Sequence, residues 1–190
     1  MEPDDTARAA AMARLEVFIG EWVIEAIFPG GQGGTGRAVF EWTLDQRFLI
    51  CRTMVPGGVP DGLMIMGYDQ GRTPYCQHYF DSRGVARLYA MDLSDGVWTL
   101  LRDSADFTPL EFAQRYTGTF SPDGQRIDGR WESAQDGATW RCCIARRSSP
   151  SRSATGPVPC APPPESCALP LMPGTHRPRC GPSATRSSPA

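Results

Sequence analysis

Two histidines, seven cysteines and 21 acidic groups are the side chains of this chain that can transfer protons, attack carbonyls or hold metals. His78 is the one histidine inside a regular pattern, the run "PYCQHYFDSRGVARLYAM" at residues 74–91. That run alternates as a β-strand does. Tyr75, Gln77, Tyr79, Asp81 and Arg83 fall on one face, and Cys76, His78, Phe80 and Ser82 on the other. A general base needs an orienting carboxylate or a nucleophile within hydrogen-bond reach. Asp81 is off-face, and Cys76, two residues away, sits ~6.6 Å distant by strand rise. Local sequence therefore supplies no dyad, and His78 reads as a pocket-lining or core residue among apolar neighbours.

Arg87 and Tyr89 share one strand face at i, i+2, which resembles the Arg-x-Tyr pair with which fatty-acid carriers hold a carboxylate inside their barrels. Here the pair lies mid-barrel and not on the last strand, and Arg115 can serve similarly. Against this, both arginines can be salt-bridged on a strand face with Asp81 or Glu132 opposite. Trp131 completes the candidate ligand-binding set of His78, Arg115 and Trp131. Asp103 and Asp106 lack the further ligands of a metal site. The cysteines (51, 76, 142, 143, 160, 167, 180) contain no CxxC pair and no Cys/His ligand spacing, so a zinc-finger-type metal site is not expected.

The elements that must position these residues are mostly strands. Residues 4–18, "DDTARAAAMARLEVF", predict one short helix with Asp4 or Asp5 as N-cap and with Met12, Leu15 and Phe18 on one face. Gly20 ends it. Alternating runs follow at about 21–28, 36–42, 47–55, 63–69, 75–82, 85–91, 97–102, 112–120, 125–132 and 138–142. Asp-Gly pairs at 95–96, 123–124 and 136–137 mark hairpin turns. Ten short runs with no room for crossover helices predict an all-β, antiparallel, up-and-down barrel with a short N-terminal helix. Faces such as Trp22, Ile24, Ala26 and Phe28, or Gln114, Tyr116, Gly118 and Phe120, suit a sealed core or a ligand cavity equally.

Of the 190 residues, 1–140 hold 12 Arg against 20 Asp and Glu, and 141–190 hold 7 Arg against one Glu. An acidic body with a basic end, and no Arg cluster among stacking aromatics, does not form a nucleic-acid footprint. No stretch reaches the ~18 apolar residues of a membrane helix. The acidic N-terminus lacks a secretory signal, which points to a reducing cytoplasm with free thiols. Lys and Asn are absent throughout, as expected of a GC-rich gene. Residues 148–190 carry 11 of the 18 prolines. The expected organisation is a barrel domain over 1–144 and a disordered tail over 145–190. The tail's Pro/Arg/Ser bias matches GC-rich DNA read out of register, so a frameshift product is one expectation. A tenth strand cut short there leaves an open edge and poor solubility.

Gly20-Glu21-Trp22, at the end of the helix and the start of the first strand, resembles the G-x-W of lipocalins and other calycins, in which the Trp packs on the closed end. The wider run "LEVFIGEW…FEWTLDQRFLICR…MIMGYD…WTLLRD…RYTGTFSPDGQRIDGRWES", over about residues 15–140, resembles bacterial lipocalin-like proteins of the DUF1579 type. The resemblance implies a calycin-like barrel and binding of a small molecule, with no known reaction. Nitrobindin-like haem barrels are more distant cousins whose iron is held by a His near the last strands. Residues 125–144 here contain no His, and His176 lies in the tail, so no cofactor is expected.

The sequence thus reads as a barrel that binds a small, largely apolar ligand, with oligomeric state left open. Alternatives are an enzyme using His78 as general base on a small carbonyl or ester, a haem barrel, and a packed structural module.

Overall fold

The computed structural model describes residues 3–31, 33–57, 59–68 and 75–151. It is all-β apart from one helix, α1 (Pro3–Ala13), which runs into a 3-10 turn at Arg14–Phe18. Ten strands follow: β1 (Gly20–Ile27), β2 (Gly33–Thr43), β3 (Phe48–Met54), β4 (Gly62–Tyr68), β5 (Tyr75–Asp81), β6 (Ala86–Ser94), β7 (Val97–Arg102), β8 (Ala113–Phe120), β9 (Ile127–Ala134) and β10 (Arg141–Pro150). Each pairs antiparallel with its neighbours in sequence, and β1 pairs with β10 to close the barrel. No helix among the described residues is long and apolar enough to cross a membrane.

Turn chemistry sets the hairpins. Asp95 and Gly96 both have positive φ (52° and 73°) between the paired residues Ser94 and Val97. That two-residue turn matches the right-handed twist of its strands, which explains why Asp-Gly is used there.

One end of the barrel is sealed. Met12, Leu15 and Phe18, from the helix and the 3-10 turn, are all buried. Phe18 packs against the rings of Phe40, Trp98 and Phe120 at 5.3, 4.9 and 5.3 Å. Gly20 takes a φ of +118°, which turns the chain sharply from the floor into β1. Two residues on, the Trp22 indole donates to the Phe18 carbonyl at 2.7 Å. The helix is tied on by Tyr75, whose hydroxyl donates to the Ala11 carbonyl at 2.7 Å, and by Arg14, which donates to the Leu93 carbonyl.

The barrel domain extends past the expected boundary at residue 144. β10 continues to Pro150, bonding to β9 on one side and β1 on the other. No open edge results. Its polar composition is tolerated because a strand in a closed barrel is held by two ladders of backbone hydrogen bonds, which do not depend on side-chain type. Residues 152–190, the greater part of the expected tail, lie outside the described residues.

Candidate functional site

Inward and outward faces follow from burial and register. On β5, Tyr75 and Gln77 are buried, and Gln77 pairs with Met66 of β4 and Tyr89 of β6, both interior. The inward face of β5 is therefore Tyr75, Gln77, Tyr79 and Asp81. His78 points outward, opposite Ile65 and Leu88. Its ring lies 6.5 Å from Phe80 and 6.2 Å from Phe107, centre to centre. This corrects the expectation that His78 faces a pocket inside the barrel. Both faces of β5 carry aromatics, and the outward one is covered by the loop that brings Phe107. As a base acting on a guest in the barrel, or as an interior haem ligand, His78 is on the wrong side of the wall.

Arg115 is also on the outer face. It binds Glu132 at 2.7 Å and stands over the Trp140 ring at 4.3 Å. The Arg115 hydrogen bond holds the Glu132 carboxyl below its ordinary range. The salt-bridged alternative thus describes Arg115. Together with Leu101, Phe112 and Trp140 it lines a groove of about 570 Å³ on the outside of β7 and β8. Trp131 does face inward, 5.6 Å from the Tyr89 ring and 5.1 Å from that of Tyr116. Gly118 and Gly129 make space for Tyr116, since a Cβ at either would run into its phenol.

Polar groups concentrate on the inner wall of the half away from the helix. Arg87 faces inward opposite Tyr79. It donates to the Gln114 amide oxygen and lies over the Phe112 ring at 5.0 Å. Tyr89 donates to the same Gln114 oxygen at 2.8 Å. Gln77 has 1% exposure, and neither its amide nitrogen nor its oxygen has a hydrogen-bond partner among the described residues. On the opposite wall Arg146 pairs with Gly129 and Ala26, inward positions of β9 and β1. Its Nε donates to the Ser148 hydroxyl at 3.3 Å.

The loop at 103–112 is anchored by charge. Asp106 accepts from Arg102 at 2.7 and 2.9 Å and from the Leu88 backbone N–H at 2.9 Å. Leu88 lies just beyond the last β6–β7 pair, Ala90 with Leu101, so the carboxylate caps a strand N–H that β7 leaves open. Phe107 packs on the outer wall beside His78 and is 57% exposed.

No family model matches the chain, and no curated protein matches it. Among solved structures it is similar to that of Rv2717c from M. tuberculosis, with a TM-score of 0.51 and 15% identity over 75% of this chain and 98% of that one. At that identity the likeness shows the fold alone.

The interior holds no poised nucleophile among these groups. Burial pushes the Cys51 thiol up to about 12, and the nearby Arg146 charge offsets this only in part. Tyr79 is likewise pushed up to about 12, first by burial and then by the Asp81 charge. Burial raises Tyr89 and Tyr116 as well. Near neutral pH these phenols keep their protons, and Tyr79 and Tyr89 act as donors. Iodoacetamide at pH 8 is therefore expected to label the exposed Cys142 and to leave Cys51 unmodified in the native protein, since the thiolate is the reacting form. Peptide mapping that finds both labelled at similar rates would contradict the buried placement of Cys51.

The sequence reading missed Gln77 and Arg146. Gln77 had been placed on the charged face, and that face is the inner one. Arg146 falls in a stretch whose composition reads as tail. Its only signal is a three-residue alternation, Ile144, Arg146, Ser148, too short to stand out.

Proposed function

We propose that the protein is a calycin-like carrier, of the kind the DUF1579 resemblance implies, holding a small molecule with an apolar body in the half of its barrel away from the helix. The observation that carries this reading is the Gln77 side chain, fully buried with its nitrogen and oxygen unpartnered among the described residues. A buried amide without hydrogen bonds costs about 1–3 kcal/mol. A guest bearing a donor or acceptor removes it. Trp131, Tyr89 and Met66 supply apolar wall around the same level, the usual mixture for a small-molecule site.

Gln77→Leu tests this directly. The substitution is expected to raise stability by about 1 kcal/mol or more, because it deletes an unsatisfied polar group. It is also expected to weaken binding of dodecanol, followed by quenching of tryptophan fluorescence, about fivefold or more. A variant that is less stable and binds dodecanol unchanged would refute the reading. Native mass spectrometry of the protein as expressed supplies the identity of any co-purifying guest.

A further inference from the structure

We infer that the outer groove on β7 and β8 is a second binding site, one that takes an organic cation with an apolar body. It lies outside the barrel and stands whether or not the interior holds a guest. The pairing of β7 with β8 runs from Val97–Thr119 to Arg102–Gln114. Beyond Arg102 the chain leaves the sheet at Asp103 and returns to β8 through Glu111 and Phe112. That loop raises one wall of the groove, and the β9–β10 connection, with Gln135 and Trp140, raises the other. Outward side chains of the two strands make the floor, where Thr99 and Thr117 pair directly. The concavity of about 570 Å³ is the size of a small-molecule site.

The chemistry of the groove is apolar and acidic. Leu101 and Leu110 are 38% and 37% exposed, and both line it together with Trp140. Apolar side chains left open on the wall of a concavity gain when an apolar body displaces their water. Asp103 and Glu111, at the two ends of the loop, supply the negative charge. Neither is in an ion pair among the described residues. Arg102, on which the Glu111 charge acts, is already bonded to Asp106. Arg115, the cation that lines the groove, is neutralised by Glu132 at 2.7 Å. Its guanidinium stands 4.3 Å from the centre of the Trp140 ring, so this indole already serves as a platform for positive charge. A guest with an ammonium toward Asp103 and Glu111, and a hydrocarbon body along Leu101, Leu110 and Trp140, meets both features. An anion would face the two carboxylates. The charge of the domain acts in the same sense: residues 1–140 hold 20 Asp and Glu against 12 Arg, which draws cations to the surface.

The test titrates three probes that share one body, 4-phenylbutylammonium, 4-phenylbutanol and 4-phenylbutanoate, into the full-length protein by calorimetry at neutral pH. Wild type is expected to bind the ammonium about fivefold more tightly than the alcohol, as two solvent-exposed ion pairs allow. The carboxylate should bind more weakly than either. Raising salt from about 0.05 to 0.5 M should remove most of the preference. Asp103→Asn combined with Glu111→Gln should bind ammonium and alcohol equally, and Trp140→Ala should weaken both about threefold or more. Circular dichroism checks that each variant is folded, and Leu110→Ser, on the exposed loop, replaces Trp140→Ala if that variant is not. Equal affinities for the three probes in wild type, or a preference that survives in the double variant, would overturn the cation assignment. Saturating dodecanol, the interior probe, should leave ammonium binding unchanged; competition between them would place the cation inside the barrel and overturn the groove. Dodecanol that does not bind at all would count against the carrier reading and leave this site standing. Absence of ammonium binding at millimolar concentration would remove the site. Self-association that Trp140→Ala abolishes would then give the groove to a second copy of the chain.

Discussion

Asp106→Ala is expected to destabilise the barrel by about 3–5 kcal/mol, the cost of leaving a buried charge without its partner. The side chains of Arg102 and Asp106 are 3% and 5% exposed. Two parallel N–H···O bonds join them, at 2.7 and 2.9 Å, and the same carboxylate caps the Leu88 N–H and accepts from the Thr108 N–H. Removing it strands a guanidinium, frees a strand N–H and releases the loop that carries Phe107. Replacing both partners at once, Arg102→Met with Asp106→Leu, is expected to cost much less, since an apolar pair of similar volume avoids the desolvation of either ion. Urea unfolding of the two variants beside wild type makes the comparison. A single-variant loss below about 1 kcal/mol would show that the pair is hydrated.

The pair also sets a pH dependence. The Arg102 hydrogen bond holds the Asp106 carboxyl well below its ordinary 3.8, against the opposing effect of burial. A carboxyl with a depressed folded-state value contributes stability that is fully present above the unfolded value. That contribution is lost as pH falls through the folded value. The gap between wild type and Asp106→Ala should therefore begin to narrow as pH falls below about 4 and close only well below that, under the folded-state value. Asp81, brought down to about 2 chiefly by its hydrogen bond from Arg83, acts in the same direction in both proteins and leaves the difference unchanged.

Phe18→Ala, at the other end, is expected to cost about 3–5 kcal/mol. Phe18 has no exposure and contacts three rings that belong to β2, β7 and β8. Its removal deletes the side chain on which the floor converges, and strands locked in closed ladders cannot move in to fill the void. The Trp22 indole bond is to the Phe18 backbone carbonyl and survives, so the loss isolates packing. Near-ultraviolet circular dichroism should lose the signal of Trp98, whose ring stands edge-on to Phe18 at 71°. A midpoint in urea within experimental scatter of wild type would show that the helix does not seal this end.

Much of the fold was legible because its cues are local. Ten alternating runs, the Asp-Gly turns and the placement of Met12, Leu15, Phe18 and Gly20 each depend on a few neighbouring residues. The inner faces of β1, β8 and β9 could be read where one face is mainly apolar or aromatic and the other charged. The candidate site was legible only in part. Trp131 was placed on the correct side, whereas His78 and Arg115 lie outside, and Gln77 and Arg146 went unrecognised.

The amino-acid order by itself determined where the first nine strands begin and turn and which residues share a face. A period of two separates the faces of a strand without saying which looks inward when both carry aromatics, as on β5. That choice fell to tertiary packing, which set Phe107 against the outer wall and turned Gln77 in. Packing likewise joined Arg102 to Asp106 through loop closure, and extended β10 through a polar stretch because its two neighbours offered complete hydrogen-bond ladders. With the register shift between Cys142 and Ile144, the same extension turned Arg146 toward the interior, and no local pattern encodes a pairing between distant strands.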